Sequence, residues 1–255
     1  MKIGVVLFVK DENNYLKEWL EHYRKIGFNH FFIIDNGSHR PIISDFIQIN
    51  KEQWKSFEDT VRITSKDITF IKWNDDNNIG SQNRAYLFIC NQIKGYDYLL
   101  FVDTNEFLII KSHNTIQEYI AHLRDKYGKV DGIGIYWRMY GSNKPYFESR
   151  MNIKDYVLYK EDNHIKSIVN PVKVNKFQDP HKPSLFNSKY IDENGNDIIS
   201  PIGKHTSNDI YIKHIWTRSL NEFKEKIVRG SGDKVKRNWK LEDFYTYNDN
   251  CILKD

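Results

Sequence analysis

Short apolar runs that alternate with amphipathic helical patterns fill the first half of the sequence. The run KIGVVLFV is continuously apolar, which is typical of a strand buried on both faces of a sheet. Apolar residues then recur at helical spacing from Tyr15 to Ile26, and Gly27 ends that pattern. The chain therefore begins with a strand followed by a helix.

The same order continues downstream. HFFIID, Ile68 to Trp73 and YDYLLFVD each predict a strand, and residues 79–93 predict a helix with Asn78 as its N-cap and Gly95 after its end. Alternation of this kind predicts an α/β fold with a mostly parallel sheet and helices on both faces. Ligands bind at the carboxyl ends of the strands in such sheets, where Asp35 and Asp103 lie.

The second half has a different pattern. Thr115 and Glu118 predict a capping box that opens a helix, and VDGIGIYW predicts one more strand. Residues 139–211 show little helical periodicity, whereas Ser219 and Glu222 open another capped helix. We expect a single domain over residues 1–255, with an elaborated half from residue 111 that ends in a basic helix and tail.

Charge and composition restrict the class of partner. The chain is 40% hydrophobic and carries a net charge of +4, which excludes a disordered chain and argues against a nucleic-acid-binding protein. Between Lys213 and Lys240 there are nine Lys or Arg residues against three Asp or Glu. This segment suits phosphate groups, and the alternative is a solvated charged helix.

Cys90 and Cys251 are the two cysteines, and neither lies in a metal-binding spacing. Such usage is typical of a reducing compartment. The N-terminal apolar run is too short for a signal segment or a membrane-spanning helix. The sequence thus predicts a cytoplasmic protein, with contact at the inner face of a membrane as a further expectation.

FVDTNEFLII places oxygen-bearing side chains inside an apolar run. Asp103 and Asn105 would point to the same side if strand geometry continued, and carboxylate and amide oxygens suit Mg²⁺ or Mn²⁺. The alternative is a turn or helix-capping aspartate. The stretch predicts a divalent-metal site that shares a nucleotide diphosphate as ligand.

Several blocks, in order along nearly the whole chain, resemble glycosyltransferase family 92 and the related family 2-like bacterial enzymes. They are VKDENNYLKEWLEHYRKIGFNHFFIIDNGS, NNIGSQNRAY, FVDTNEFL, YWRMYGS, KSIVNPVKV, HKP and IKHIWTRSLNEFKEKIVRG. The resemblance implies a GT-A-like fold with a nucleotide-sugar-binding half over residues 1–110 and an acceptor half over residues 111–255.

The resemblance also implies the partners and their contacts. The donor is a nucleotide-diphosphate sugar and the acceptor is a saccharide or lipid-linked saccharide. The residues expected to bind the donor are Val9, Lys10, Glu12, Asp35, Asn36, Arg84, Asp103 and Thr104. For Arg84, a surface salt bridge is the alternative role.

A divalent metal ion, Mn²⁺ or Mg²⁺, is the implied cofactor, with Asp103, Asn105 and His181 as its ligands and His214 as an alternative to His181. The family's second aspartate is Asn105 here, which removes one negative charge from the site. This difference leaves open a catalytically impaired carbohydrate-binding or nucleotide-binding protein.

An inverting transfer needs a general base. Glu148 matches a family position for that role, with Asp131 as a second choice and a salt bridge to Arg150 as the structural alternative. Trp137 and Tyr140 are expected to stack on an acceptor sugar, unless they belong to the core.

The activity expected is hexosyl transfer from a UDP-linked donor to a saccharide hydroxyl, in surface polysaccharide or lipopolysaccharide assembly. A nucleotidyltransferase is disfavoured because KDENN, after the first strand, is acidic and lacks glycine. A flexible basic tail after Gly230 and Gly232 is expected either to close over the diphosphate or to lie on anionic lipid.

Overall fold

The computed structural model describes residues 1–56, 62–73, 79–204, 209–229 and 238–255. Within these residues the helices are α1 (Leu16–Lys25), α2 (Lys51–Ser56), α3 (Ser81–Gln92), α4 (Ile116–Tyr127), α5 (Leu220–Arg229) and α6 (Leu241–Asp249). None of the helices found in the described part of the chain is long and apolar enough to cross a membrane.

The strands of the first half are β1 (Ile3–Val9), β2 (His30–Asp35), β3 (Arg62–Ser65), β4 (Ile68–Lys72), β5 (Tyr98–Phe101) and β6 (Glu106–Ile110). Those of the second half are β7 (Gly132–Tyr140), β8 (Leu158–Val169), β9 (Val174–Phe177), β10 (Pro183–Leu185), β11 (Tyr190–Ile191), β12 (Ile210–Ile215) and β13 (Leu253–Lys254). All four strands and both helices predicted before residue 111, and β7 and α4 after it, are present.

One eleven-stranded sheet organises the chain. Its order is β3-β4-β2-β1-β5-β8-β7-β12-β6, with β11 beside β7 and β13 beside β8. Eight of these strands run in one direction, and only β3, β6 and β8 run against them. The predicted GT-A-like α/β fold class, with a mostly parallel sheet, is confirmed.

Helices cover both faces of the sheet. Strand β1 shows this directly, because its alternate side chains enter two different cores. Val5 packs in a core with residues of α1 and α4, whereas Val6 packs in a second core with residues of α3. The interior is therefore three layers thick, with the sheet in the middle.

The sheet must be strongly curved between β5 and β6. Strands β5 and β6 lie four positions apart in the sheet, which corresponds to about 19 Å if the sheet were flat. Yet they are consecutive in the chain, and a tight turn joins them, in which Glu106 N donates to Asp103 O at 3.1 Å. Helix α1 lies inside this curve, where the Tyr23 hydroxyl donates to Glu106 O at 3.0 Å.

Helix α3 begins later than predicted. Its first residue is Ser81 and its N-cap is Gly80, which has φ +81° and offers no side chain for capping. The predicted cap, Asn78, lies outside the described residues. Glycine takes this position because left-handed backbone costs it no steric energy.

The two longest elements of the second half that were not predicted are strand β8 and helix α6. Strand β8 is 12 residues long and lies between β5 and β7, antiparallel to both. Helix α6 lies where a flexible tail was expected, and Phe244 in it packs on Phe223 of α5 with ring centroids 5.6 Å apart. The expectation of a tail is therefore wrong for residues 238–255, and Gly230 and Gly232 lie outside the described residues.

Candidate active site

The turn between β5 and β6, residues 102–105, is the centre of the candidate site. Asp103 N donates to the Glu106 side chain at 2.9 Å, and Trp19 Nε1 of α1 donates to Asp103 O at 3.2 Å. Strand geometry ends at Phe101. The condition under which Asp103 and Asn105 were expected to share a side, a strand that continues through them, is therefore not met.

Asp103 and Glu106 bind the same ammonium group. Lys166 Nζ of β8 lies 3.2 Å from Asp103 Oδ2 and 3.1 Å from Glu106 Oε2. The Glu106 and Lys166 side chains are 0% and 1% exposed, whereas the Asp103 side chain is 39% exposed. A buried ion pair thus supports one carboxylate that faces outward.

Burial and the neighbouring charges together shift the pKa values of Glu106 and Lys166. Burial raises the pKa of Glu106 to about 7, and the Lys166 ammonium opposes that rise. Burial alone would lower the pKa of Lys166, but the Asp103 and Glu106 carboxylates raise it above its usual value. Lys166 is therefore a permanent cation at neutral pH.

Three histidines surround Trp137 beside the ion pair. The rings of His164, His181 and His214 lie with their centroids 5.1, 4.9 and 4.4 Å from that of Trp137. Burial lowers the pKa of His181 to about 3 and that of His214 well below its usual value. Both rings are therefore neutral, and the Nδ1 atom of each is buried without a hydrogen-bond partner.

The predicted metal ligands each contact other groups of the chain. Asn105 Nδ2 donates to Ile215 O of β12 at 3.2 Å, while Asp103 faces Lys166 and Gln82. His181 lies in the loop between β9 and β10, against Trp137. In the described part of the chain, no three His, Cys, Asp or Glu side chains are placed to hold a metal ion. The residues present there do not fit the implied cofactor.

A second polar group adjoins the turn on its other side. Arg218 Nη2 donates to Glu12 Oε2 and to Thr104 Oγ1, each at 3.0 Å, and the Thr104 hydroxyl also donates to Glu12. The guanidinium lies 3.6 Å from the centroid of the Tyr15 ring. This cluster joins the end of β1, the turn and the start of α5.

A pocket opens beside this cluster. Its walls include Tyr15, Glu18, Asn105, Arg150, Arg218 and Glu222. Arg150 Nη2 lies 3.3 Å from Glu18 Oε2, so charges of both signs line the pocket. The cavity of about 20 Å³ admits one hydroxyl group at a time, and its aromatic, carboxylate and guanidinium walls suit the hydroxyl group of a sugar.

Two of the predicted donor-binding residues hold a loop. Asp35 is 1% exposed, and its carboxylate accepts Ser38 N and Ile42 N, both at 2.9 Å. Asn36 is 4% exposed, and its N–H donates to Val9 O at 2.8 Å. Nucleotide contacts at these residues stay a prediction. In the structure, the Asp35 carboxylate at the end of β2 holds the loop that follows.

Lys10 and Arg84 lie on either side of the same edge. Lys10 follows β1 directly and is partly exposed. Arg84 is exposed in the first turn of α3, where its Nη1 donates to Ile79 O at 3.0 Å. Contact of Arg84 with the donor stays a prediction, and so does its alternative role in a surface salt bridge.

The two predicted stacking residues have different surroundings. Trp137 is 8% exposed and lies among the three histidines. Tyr140 is 0% exposed, and its hydroxyl donates to Asp255 Oδ2 at 2.7 Å. The ring of Tyr140 therefore belongs to the core, because strand β7 buries it, and it is not brought to the site.

The two predicted bases lie in different parts of the structure. Glu148 is exposed, and Arg150 pairs with Glu18 and not with it, so the alternative salt bridge is wrong. Asp131 precedes β7, which runs parallel to β5, and so it lies at the opposite edge of the sheet from Asp103. The role of Glu148 stays a prediction.

Sequence reasoning missed Glu106, Arg218, Tyr15 and Glu18 as members of the site. Glu106 had a signal, since a glutamate between Asn105 and the apolar FLII must be buried in a strand and needs a counter-charge. Arg218 had none, because only the fold brings it to Glu12, 206 residues away.

The comparisons with known proteins give one strong match. The sequence profile of glycosyltransferase family 92 matches residues 4–242, which is most of the chain. No match to this chain was found among curated proteins.

Solved structures show only distant likeness. Galactosyltransferase LgtC, in complex with donor and acceptor sugar analogs, is 15% identical over 66% of this chain and 58% of its own, with a TM-score of 0.28. The bifunctional glycosyltransferase WbbM is 13% identical over 53% and 23%, with a TM-score of 0.31. Apo UDP-glucose pyrophosphorylase is 10% identical over 99% and 89%, with a TM-score of 0.34. The matched part thus spans less than two thirds of the first two structures, and at these TM-scores the likenesses carry no argument.

Proposed function

Because the chain belongs to glycosyltransferase family 92, we propose that this glycosyltransferase moves a hexose from a UDP-linked sugar to a hydroxyl group of a saccharide or lipid-linked saccharide. The family match over residues 4–242 carries the proposal. Inversion at the anomeric carbon and a role in surface polysaccharide or lipopolysaccharide assembly belong to the same proposal.

The donor lies, in this proposal, at the carboxyl ends of β1 and β5. Parallel strands of an α/β sheet present their ligands at that edge. Asp103 supports this position, because its carboxylate is 39% exposed and fixed by Lys166, and can accept a ribose hydroxyl. Lys10 and Arg84 lie at the same edge as cations for the diphosphate.

The acceptor lies, in this proposal, across the mouth of the pocket lined by Tyr15, Arg150 and Glu222, with one hydroxyl group inside it. That pocket shares Thr104 and Asn105 with the turn, so an acceptor held there would lie next to the donor. Tyrosine rings pack on the apolar faces of sugars, and the charged groups accept and donate to hydroxyls.

In the reaction, the acceptor oxygen forms a bond to the anomeric carbon while the bond from that carbon to the diphosphate oxygen breaks. The hydroxyl proton passes to a carboxylate, and the developing charge on the diphosphate is stabilised by cations. Glu148 is the base that the family resemblance implies, and Glu18 is the carboxylate of the pocket wall that competes for the role.

Thermal unfolding with a panel of nucleoside diphosphates tests the donor. Ligand at a hundredfold excess over its Kd stabilises the folded state by about 2.7 kcal/mol. For a chain of this size that corresponds to a rise of about 5–10 °C in Tm. We expect UDP to give this rise, Asp103→Ala to abolish it, and the matched control Asp125→Ala, on the exposed face of α4, to keep it.

A panel in which no nucleotide raises the Tm of the wild-type protein would refute the donor assignment. Release of UDP from UDP-hexoses in the presence of saccharide acceptors then tests the transfer itself. Glu148→Gln and Glu18→Gln, compared in that assay at equal UDP binding, distinguish the two bases.

A further inference from the structure

We propose that Lys166 takes the place of a divalent metal ion in this site, so that the nucleotide-diphosphate donor binds without added metal. The inference rests on the proposed function, since it concerns how the same donor is held. It assigns Lys166 as a positioning residue that acts through Asp103.

The contacts of Lys166 are those of a permanent counter-charge. Its Nζ lies 3.2 Å from Asp103 Oδ2 and 3.1 Å from Glu106 Oε2, and the side chain is 1% exposed. These two contacts use two of its three N–H donors. Strand β8 fixes this place, because Lys166 pairs with Ile135 of β7 and β8 also pairs with β5.

A metal ion at Asp103 would meet this ammonium group. Mn²⁺ and Mg²⁺ bind carboxylate oxygens at about 2.0–2.2 Å. Because Asp103 Oδ2 lies 3.2 Å from Lys166 Nζ, an ion on that oxygen would lie at most about 5.4 Å from the ammonium nitrogen. Two cations at that distance repel each other, and the ion would have to be held by further anionic ligands. Asn105 supplies none, because it is uncharged and its amide group donates to Ile215 O.

Charge balance gives Lys166 its role toward the donor. Without the ammonium group, the Asp103 carboxylate would present an unbalanced negative charge to a diphosphate. With it, Asp103 is neutralised and held in one orientation while 39% of its side chain stays exposed. A metal ion does the same work in a site with a second aspartate, which is the position where this chain has Asn105.

Calorimetric titration of the wild-type protein with UDP, in EDTA and in Mn²⁺, is the first test. We expect the Kd for UDP in the two conditions to agree within about twofold. A Kd at least tenfold weaker in EDTA would overturn the inference and leave the proposed function standing. Absence of binding by every nucleotide in both conditions would overturn the proposed function, and the inference with it.

Lys166→Met is the second test, with Lys176→Met on the exposed face of β9 as the matched control. In EDTA we expect Lys166→Met to weaken UDP binding at least tenfold, and Mn²⁺ to restore part of it, because two carboxylates are now free to bind the ion. A merely structural lysine would not create Mn²⁺-dependent binding. Unchanged binding by Lys166→Met in EDTA would overturn the inference, and where this variant fails to fold, the wild-type titration decides.

Discussion

Lowering the pH from 7 to 5 should destabilise this protein by about 3 kcal/mol, because three histidines with strongly lowered pKa values must take up protons on unfolding. Burial lowers the pKa of His22 to about 4, that of His181 to about 3 and that of His214 well below its usual value. Below pH 6.5 the unfolded chain binds a proton at each residue that the folded protein does not bind.

The magnitude follows from the width of that window. Each histidine lowers the free energy of unfolding by about 1.4 kcal/mol per pH unit, which is about 2 kcal/mol between pH 6.5 and 5. The three histidines together therefore lower it by about 6 kcal/mol. Glu106 acts in the opposite direction, since burial raises its pKa to about 7 and the folded state binds its proton first as the pH falls. Glu106 thereby raises the free energy of unfolding by about 3 kcal/mol over the two pH units. The net loss of stability is about 3 kcal/mol.

Urea unfolding at pH 7 and pH 5 measures this difference. We expect His22→Gln to reduce the loss by about 2 kcal/mol, because one of the three protons is then no longer taken up. The control is His39→Gln, since the His39 side chain is 87% exposed. Equal free energies of unfolding at the two pH values, or an equal effect of His39→Gln, would refute the reasoning.

Three further substitutions test the scaffold around the site. Thr115→Ala removes the side chain that accepts Glu118 N at the start of α4, and should lower the free energy of unfolding by about 1 kcal/mol in urea. Asp35→Ala leaves the buried N–H groups of Ser38 and Ile42 without their acceptor, so we expect a loss of about 2–6 kcal/mol in the same assay; a loss under 1 kcal/mol would show that the loop relaxes. Phe223→Ala empties a fully buried position between α5 and α6 and should cost about 3–5 kcal/mol, with loss of amide-exchange protection in α6 before the rest of the chain.

The first half of the fold was predictable because its strands are buried on both faces. β1, β2 and β4 are short, mostly apolar runs rich in β-branched and aromatic residues, which favours strands over buried helices. Strand β8 escaped prediction for the opposite reason. Its first half, LYKEDNH, is polar and partly exposed, and only Ile165 to Val169 is fully buried. A strand that is exposed at one end and buried at the other has no single pattern of apolar and polar residues along its length.

The candidate site was predictable only in its position. Asp103 follows an apolar strand, and the rule that ligands bind at carboxyl ends of strands placed it at the correct edge. The direction of Asn105 was not predictable, because the Glu106 side chain closes the turn by accepting Asp103 N. The pairing with Lys166 joins residues 63 positions apart and depends on where β8 enters the sheet.

The position of β8 also sets when the site can exist during synthesis of the chain. Among the described strands, β8 is the one that links β5 to β7, and it carries Lys166. A nascent chain that has emerged only as far as α4 holds Asp103 and Glu106 with no cation between them and no neighbour for β5 on that side. The edge of the sheet at which the donor is proposed to bind is therefore complete only after about two thirds of the polypeptide has been synthesised. Ribosome-bound chains arrested before residue 158 should expose both carboxylates to solvent.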